Sequence, residues 1–393
     1  MIPGDIGSEI DRIEQVFETL NESHNAVMYI PGNHEAWRRG GTSVVSAQTP
    51  ELRTSTTNRM ATDSIAKIED VAASARRLGV YLAPVRFSLS NNNVSDNRAV
   101  CVFPMWSWYH VGWDREPGLE DPLFTAVEKA VPFQRKWGDF SMCSWPESLI
   151  SQESFASVEI GDTVSDNTVL AEAWGSLNEP FLNPPTQEET KEMSGKGGSP
   201  IIQDSDTVIS FSHFLPRQEL CPEKRFLTEP LLSRVIGSDP LEAQVRRLNP
   251  DLHLFGHTHI PIDLELEGIR YLQWPLGYSR EANMQCAPVR AEGALLVYDS
   301  SLGDSAAGIP EMAPSKDSYW SKYYRSKPRK PEVIAPLAPW VVNRLNAFSG
   351  FVKSNNDDDN EAVDKEKELK VPPRSPSEGA NPIFKFLEKS KKK

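Results

Sequence analysis

Hydrophobic positions near the start of the chain alternate between helical spacing and short unbroken runs. Apolar residues recur at helical spacing over residues 10–20 and predict an amphipathic helix, with Ser8 as its N-cap. Residues 26–30 form an apolar run of strand length that ends at a Pro-Gly pair. A second helical spacing covers residues 65–78, and Gly79 follows it where glycine commonly ends a helix. Strands and helices are therefore expected in turn.

The same alternation resumes in the second half of the chain. A helical spacing covers residues 241–248. Apolar runs predict further strands at residues 80–83, 99–105, 207–211, 252–255, 269–274 and 294–298. Chains that alternate strands with helices in this way fold as α/β domains, so the predicted fold class is α/β.

Two regions interrupt the pattern. Residues 114–200 are rich in Ser, Glu, Asn, Gly and Pro and predict a partly irregular surface insertion, in which only 131–140 and 170–182 are apolar enough to pack. Residues 306–393 predict a low-complexity, largely disordered tail, which leaves 1–305 as the folded domain. An apolar patch near the end of the tail is a candidate docking motif for a protein partner, with a frayed helix as the alternative reading.

Composition excludes some classes of function. The apolar runs of the 393-residue chain are much shorter than the roughly 20 residues that span a bilayer, so no membrane span is expected. A net charge of −13 has the wrong sign for general nucleic-acid binding. Four scattered cysteines indicate free, mostly buried thiols, and no signal peptide is apparent. We therefore expect a soluble intracellular protein, cytoplasmic or organellar.

Polar side chains with metal-binding chemistry follow four of the predicted strands. Gly4-Asp5 follows a short apolar lead at the start of the chain, and Gly32-Asn33-His34-Glu35 follows the strand at 26–30. His213 comes after the strand at 207–211, and Gly256-His257-Thr258-His259 after the strand at 252–255. Open α/β sheets place their ligands at the carboxyl ends of strands, so these side chains are expected to converge. Imidazole and carboxylate ligands together suit Zn, Mn or Fe ions.

The spacing of the histidines leaves two arrangements open. The imidazoles of His257 and His259 point to opposite sides of a regular strand, so they share one ion only where the strand bends, or each binds one of two ions. Two ions about 3.5–4 Å apart form the clamp that enzymes use for in-line attack on phosphorus. Asp5 is able to bridge such a pair, and Asn33 adds a neutral oxygen ligand. This chemistry predicts a phosphate ester as substrate.

His34 and Glu35 are the candidate catalytic residues beside that site. His34 does not easily share an ion with its neighbour Asn33, which leaves it free to act on the leaving group, and Glu35 is positioned in the sequence to orient it. Arg217 is a candidate phosphate ligand, with an exposed surface arginine as the alternative. His110, in an aromatic cluster, is a candidate substrate contact or a packed strand-end histidine.

In this order the four motifs resemble those of the calcineurin-like metallophosphoesterases over about residues 1–300. Aromatic-rich stretches at 106–110 and 211–217 look like a poorly characterised branch of that superfamily. The resemblance implies a β-sandwich of two mixed sheets flanked by helices. It also implies a centre of two divalent metal ions (Mn, Fe or Zn type) that acts on a phosphorylated substrate of unknown class.

The resemblance also assigns roles residue by residue. It implies that Asp5 bridges both ions, that Asn33, His213 and His257 complete the second ion's ligands, and that His259 binds the first ion. His34 would then protonate or polarise the leaving oxygen.

The family's first motif, Asp-x-His, has no counterpart upstream of Gly4-Asp5 in this sequence, so only one metal site is expected to be fully liganded. We therefore expect an N-terminally truncated form of a longer phosphoesterase. The alternative is a degenerate protein with one tight metal site that serves as a non-catalytic scaffold. A hydrolase of another metal-dependent superfamily with a His-x-His motif is a further hypothesis.

Overall fold

The structure is a computed structural model that describes residues 1–38, 61–88, 99–156, 167–183, 202–203, 206–278, 294–300 and 312–358. Its strands are β1 (Ile2–Pro3), β2 (Tyr29–Ile30), β3 (Val85–Ser88), β4 (Ala99–Met105), β5 (Thr207–Ser212), β6 (Leu252–Leu254), β7 (Ile262–Leu266) and β8 (Ile269–Gln273). Its α-helices are α1 (Ile10–Asn21), α2 (Asn33–Ala36), α3 (Ser64–Arg77), α4 (Pro122–Ala130), α5 (Phe133–Lys136), α6 (Asp139–Met142), α7 (Gln152–Ala156), α8 (Thr168–Ser176), α9 (Glu179–Leu182), α10 (Asp239–Leu248), α11 (Tyr319–Ser326) and α12 (Pro339–Asp358). Short 3-10 turns lie at Val111–Trp113, Gln218–Leu220, Lys224–Phe226 and Pro230–Val235.

In the part of the chain that the structure describes, the larger sheet has six strands in the order β3-β4-β5-β6-β8-β7. The four central strands are parallel, and β3 and β7 pair antiparallel at the two edges. Met105 pairs with Ser212 and Phe211 pairs with Leu254, so β4, β5 and β6 end at the same edge. This register brings His213 and the segment after β6 next to each other.

The smaller sheet consists, within the described residues, of β1 and β2 in parallel. Ile2 pairs with Tyr29 and Pro3 with Ile30, so the carboxyl ends of the two strands lie next to each other. The described residues thus form an α/β fold with one six-stranded mixed sheet and one two-stranded parallel sheet, which differs from the expected sandwich of two mixed sheets. The second sheet is small because α2 follows β2 almost directly. Tyr81 adds only a single bridge, to Met28.

One hydrophobic core joins both sheets. All seven residues of β4 are buried, as expected of a central parallel strand that is covered on both faces. Helix α1 contributes Ile13, Val16 and Phe17 to this core, and each is at most 2% exposed. Burying a side chain such as Phe17 stabilises the fold by roughly 1.5–3 kcal/mol. The core fixes the two sheets relative to each other and so fixes the ends of their strands.

The insertion and the tail differ most from the sequence expectations. The insertion is largely helical where it is described, rather than partly irregular. Phe133 and Leu170 pack into the core from the two stretches expected to do so, and Phe155 packs from outside them, each at most 1% exposed. Residues 312–350 were expected to be disordered, but they contain α11 and the start of α12. Trp320 of α11 is only 3% exposed in the main core. The folded part therefore extends well beyond residue 305, because a few aromatic side chains in a polar segment are enough to anchor it.

A second, smaller apolar cluster fixes α12 to the insertion. Phe124 and Val127 of α4 pack against Val341 and Leu345 of α12. The apolar patch predicted to dock a partner, at residues 383–387, lies outside the described residues. The described part of the chain contains no helix that is long and apolar enough to cross a membrane.

Individual elements also differ from their predictions. Glu9 takes the N-cap position of α1, one residue after the predicted Ser8. Strands β3 and β7 were not predicted. Residues 294–298 form a single bridge, between Tyr298 and Met312, in place of a strand. Cys101, Cys143 and Cys221 are free and buried as expected, whereas Cys286 lies outside the described residues.

A fully buried histidine in β6 bridges the central strands. The ring nitrogens of His253 lie 2.7 Å from Ser210 Oγ and 2.9 Å from Ser212 Oγ, both on β5. Burial lowers the pKa of His253 to about 3. An unfolded histidine has a pKa near 6.5, so between about pH 6.5 and pH 3 the unfolded chain binds a proton here that the folded chain does not. The stability that His253 contributes is present above about pH 6.5 and is lost as the pH falls towards 3.

We predict that His253→Gln removes this part of the pH dependence. The slope of unfolding free energy against pH should fall by up to about 1.4 kcal/mol per pH unit between roughly pH 6 and 4, because glutamine does not titrate. Urea unfolding at a series of pH values measures the slope. His24→Gln, at an exposed position, is the matched control for replacing a histidine by glutamine. Equal slopes in the wild type and His253→Gln would contradict the prediction.

Candidate metal centre

The backbone turn after β1 presents the Asp5 carboxylate to the neighbouring strand ends. Gly4 and Asp5 both have positive φ angles, 78° and 58°. Gly4 is required here for space as well, because a Cβ at this position would lie 2.6 Å from both His213 Nδ1 and the backbone nitrogen of Gly32. A non-glycine residue at positive φ is uncommon, and such backbone conformations cluster at functional sites.

Glu35 fixes this turn through hydrogen bonds to three backbone N–H groups. It is fully buried, and its carboxylate accepts hydrogen bonds from the backbone N–H groups of Asp5 (3.0 Å), Gly7 (3.1 Å) and Gly32 (2.7 Å). Burial and the nearby Asp5 carboxylate raise the pKa of Glu35 to about 7, against the opposing effect of these three donors. We expected Glu35 to orient His34. Its contacts instead make it a support for the backbone of Asp5, which corrects that assignment.

His213 contributes a lone pair to the space beside Asp5. Its Nδ1 lies 2.8 Å from the carbonyl oxygen of Pro3. A carbonyl only accepts, so Nδ1 carries the proton and Nε2 of the neutral ring is unprotonated. That Nε2 lies 3.0 Å from Asn33 Oδ1, 3.1 Å from His257 Nδ1 and 3.4 Å from Asp5 Oδ1. His213 therefore directs an acceptor atom at other potential ligand atoms.

Four potential ligand atoms meet at this point. Asn33 Oδ1 is also 3.1 Å from His257 Nδ1, and atoms of Asp5, His213 and His257 all lie within 4.8 Å of one another. Ligands at about 2.0–2.2 Å from an ion are themselves about 3.0–3.6 Å apart, which matches these spacings. Asn33 Oδ1 and an unprotonated His213 Nε2, 3.0 Å apart, would both be acceptors, and a cation between them would satisfy both. The donor set therefore fits a divalent ion.

Charge at the centre is also suited to a cation. Burial alone would raise the pKa of Asp5, but His213, His34 and His257 together hold it below its usual value. Burial lowers the pKa of His257 well below that of free histidine, and His213 lowers it further. At neutral pH Asp5 is therefore a carboxylate and His257 a neutral imidazole, which are the protonation states that metal ligands require.

His34 lies at the mouth of the cluster. Its ring stacks on Trp37, with centroids 3.7 Å apart, and its Nε2 is 3.4 Å from the hydroxyl of Tyr278 and 3.8 Å from Asp5 Oδ2. The side chain is 19% exposed, so solvent reaches it. Burial of the rest of the ring is the largest cause of its lowered pKa, which keeps the imidazole neutral. His34 is therefore a neutral donor or acceptor beside the cluster.

The strand bends where the His-x-His motif begins. Strand β6 ends at Leu254, and His257 and His259 both have positive φ angles, 71° and 57°. His257 turns into the cluster, whereas the His259 ring lies 5.0 Å from the ring of Tyr278. Within the described residues, His259 does not belong to the group of converging ligand atoms. The two histidines thus take separate positions, which the sequence had left open.

Arg217 and His110, the two candidate substrate contacts, are engaged elsewhere. Arg217 is only 5% exposed, and its guanidinium pairs with Glu219 (2.6 Å) and Glu267 (2.9 Å). His110 is 4% exposed, and its Nε2 accepts a hydrogen bond from the backbone N–H of Asp239 (3.3 Å), at the start of α10. Arg217 is balanced by carboxylates and His110 caps a helix, so we withdraw both from the substrate-binding set.

One side chain beside the cluster, Asp139, was not among the site residues predicted from the sequence. Asp139 accepts a hydrogen bond from Asn33 Nδ2 at 2.7 Å and is fully buried. It lies in the apolar part of the insertion, residues 131–140. A lone acid in such a stretch is itself a signal, because a buried carboxylate needs polar partners from elsewhere in the fold.

Comparison with known proteins leaves the family open. No protein-family model matches the chain, and no curated protein matches it. Among solved structures, the crystal structure of Phosphopantetheinyl Hydrolase (PptH) from Mycobacterium tuberculosis is similar at 17% sequence identity and a TM-score of 0.46. That similarity covers 72% of this chain and 80% of the other. A likeness this weak carries no argument about fold or function.

We predict that Gly32→Ala weakens metal binding by at least about tenfold, because displaced ligands cost roughly that much affinity. A Cβ on Gly32 would overlap Asp5 Oδ1 and lie 2.7 Å from His213 Cε1. The φ of Gly32 is −100°, which alanine adopts freely, so the effect comes from the lost space alone. Titration calorimetry with Mn²⁺ measures the affinity.

Gly118→Ala is the matched control, because a Cβ there meets no atom within 4 Å. It should bind Mn²⁺ like the wild type. Unchanged affinity in Gly32→Ala would show that the space between Asp5 and His213 is not part of a metal site.

Proposed function

We propose that this protein is a metal-dependent phosphoesterase that hydrolyses a phosphate ester at a binuclear metal centre. The supporting observation is the convergence of Asp5, Asn33, His213 and His257 beside a partly exposed His34. The first four residues would bind one ion. Asp5 and His259 would contribute to a second.

Bound divalent ions would supply the positive charge that attracts a phosphate group and stabilises the negative charge of the transition state. The protein's own ligand set leaves that charge largely uncompensated, because Asp5 is its only anionic member and Asn33, His213 and His257 are neutral. An acidic protein with a net charge of −13 thereby offers a local site for an anionic substrate.

His34 would act on the leaving oxygen. A neutral imidazole carries one N–H, and the lowered pKa of His34 favours this neutral form. The ring would donate a hydrogen bond to the oxygen as negative charge develops on it. Trp37 supports this role by holding the ring from one face, at a centroid distance of 3.7 Å. Glu35 supports it indirectly, because it fixes the backbone of Asp5, whose side-chain Oδ1 accepts a hydrogen bond from the backbone N–H of His34 at 3.1 Å.

We predict that two histidine substitutions separate binding from catalysis. His34→Ala should still bind Mn²⁺ but lose about 100-fold or more of the hydrolysis of p-nitrophenyl phosphate or its bis-ester, a common effect of removing a group that assists proton transfer. His213→Ala should lose both properties, because it removes a ligand. His24→Ala, at an exposed position, should keep both. Calorimetry and steady-state kinetics on the same preparations measure the two properties.

A non-catalytic scaffold with one metal site is the second candidate. One observation favours it: the described residues contain a single group of converging potential ligands, and His259 is outside it. The two functions differ in measured stoichiometry. Two ions per chain with turnover support the enzyme, and one ion per chain without turnover supports the scaffold. A wild-type chain that binds no divalent ion contradicts both.

A further inference from the structure

A buried carboxylate from the insertion contacts the back of the candidate metal centre. Asp139 is the first residue of α6 and has no exposed surface. Its Oδ1 accepts hydrogen bonds from Asn33 Nδ2 at 2.7 Å and from Trp37 Nε1 at 2.6 Å, and its Oδ2 accepts one from Trp137 Nε1 at 2.8 Å. All three donors belong to residues that line the centre. Asn33 is a potential ligand, and the Trp37 ring stacks on His34. The Trp137 ring lies 5.7 Å from the ring of His257.

This contact determines which way the amide of Asn33 faces. A carboxylate only accepts hydrogen bonds, whereas an amide has a donor end and an acceptor end. The end that faces Asp139 must therefore be the NH₂ group, because the reverse orientation would put two acceptor oxygens 2.7 Å apart. The amide oxygen is then directed at His213 and His257, 3.0 and 3.1 Å away.

Asp139 is itself held firmly enough to impose this orientation. Its carbonyl accepts the N–H of Cys143 at 2.9 Å, and the carbonyl of Met142 accepts the N–H of Arg38, two residues after α2, at 2.7 Å. Helix α6 is thus tied to the segment that carries Asn33. Gly138 permits the close approach, because a Cβ there would lie only 3.0 Å from the Trp37 ring.

We propose that Asp139 is a positioning residue of the metal centre, which holds Asn33 with its amide oxygen directed at the ion. The inference rests on the proposed metal site and deepens it, because it assigns the insertion a direct part in metal binding. Partners that orient a metal ligand contribute about 10- to 100-fold to metal affinity in other proteins. Asp139 therefore sets affinity through Asn33 without touching the ion.

The experiment compares the affinity of full-length variants for Mn²⁺ alone, by titration calorimetry, after circular dichroism has verified their fold. Asp139→Ala removes every acceptor, so its Kd should rise about 10- to 100-fold. Asp139→Asn keeps one acceptor oxygen and should fall between Asp139→Ala and the wild type. If Asp139→Ala does not fold, Asp139→Asn decides alone, and a wild-type Kd in it overturns the proposal.

Asp114→Asn is the matched control for general destabilisation. Asp114 is another buried carboxylate, only 2% exposed, but its partners are Lys224 (2.8 Å) and Ser233 (2.8 Å) rather than residues of the centre. Its loss should lower the stability of the fold and leave the Kd for Mn²⁺ unchanged. A comparable rise in Kd for Asp114→Asn and Asp139→Ala would attribute the effect to stability and overturn the proposal.

A double-mutant cycle tests whether Asp139 acts through Asn33. Asn33→Ala removes the ligand itself, so adding Asp139→Ala to it should produce no further loss of affinity. A further loss as large as in the wild-type background would mean that Asp139 acts by another route. Failure of the proposed function looks different, because the wild type itself would then bind no Mn²⁺.

Discussion

The close approach of four potential ligand atoms is the constraint on which the candidate site depends. Asn33, His213 and His257 direct oxygen or nitrogen atoms at one another at 3.0–3.1 Å, and the Asp5 carboxylate lies beside them. The rest of the fold holds these atoms together. Parallel strands bring the chain segments to one edge, and buried hydrogen bonds fix Asn33 and His213 on the side away from the cluster. A divalent cation between the four atoms would bind all of them at once.

The sequence predicted the parts of this site that depend on local pattern. A buried strand followed at once by a polar residue is visible in a short window, and this pattern identified Asp5, Asn33, His213 and His257. Helices α1 and α3 and strand β4 were recognised for the same reason, from periodicity or an unbroken apolar run. The number and size of the sheets were not predictable, because strand pairing between distant segments leaves little trace in the spacing of residues.

Side-chain partners that are far apart in sequence account for most of the differences. Glu35 was assigned to its neighbour His34, but it binds backbone groups of a strand end about thirty residues earlier. Arg217 was chosen for its donor chemistry and its position four residues after His213, but its carboxylate partner Glu267 comes from the turn between β7 and β8. The average composition of the tail predicted disorder, but a polar segment there packs through single aromatic residues such as Trp320.

The small apolar cluster of α4 and α12 has a consequence for how the molecule is made. Phe124 and Val127 are covered by Val341 and Leu345, which are translated much later. A nascent chain on the ribosome therefore carries the apolar face of α4 uncovered through most of its synthesis. Such exposed surface invites association with other chains. The apolar face of α4 is therefore covered only after the segment that carries Val341 and Leu345 has been made.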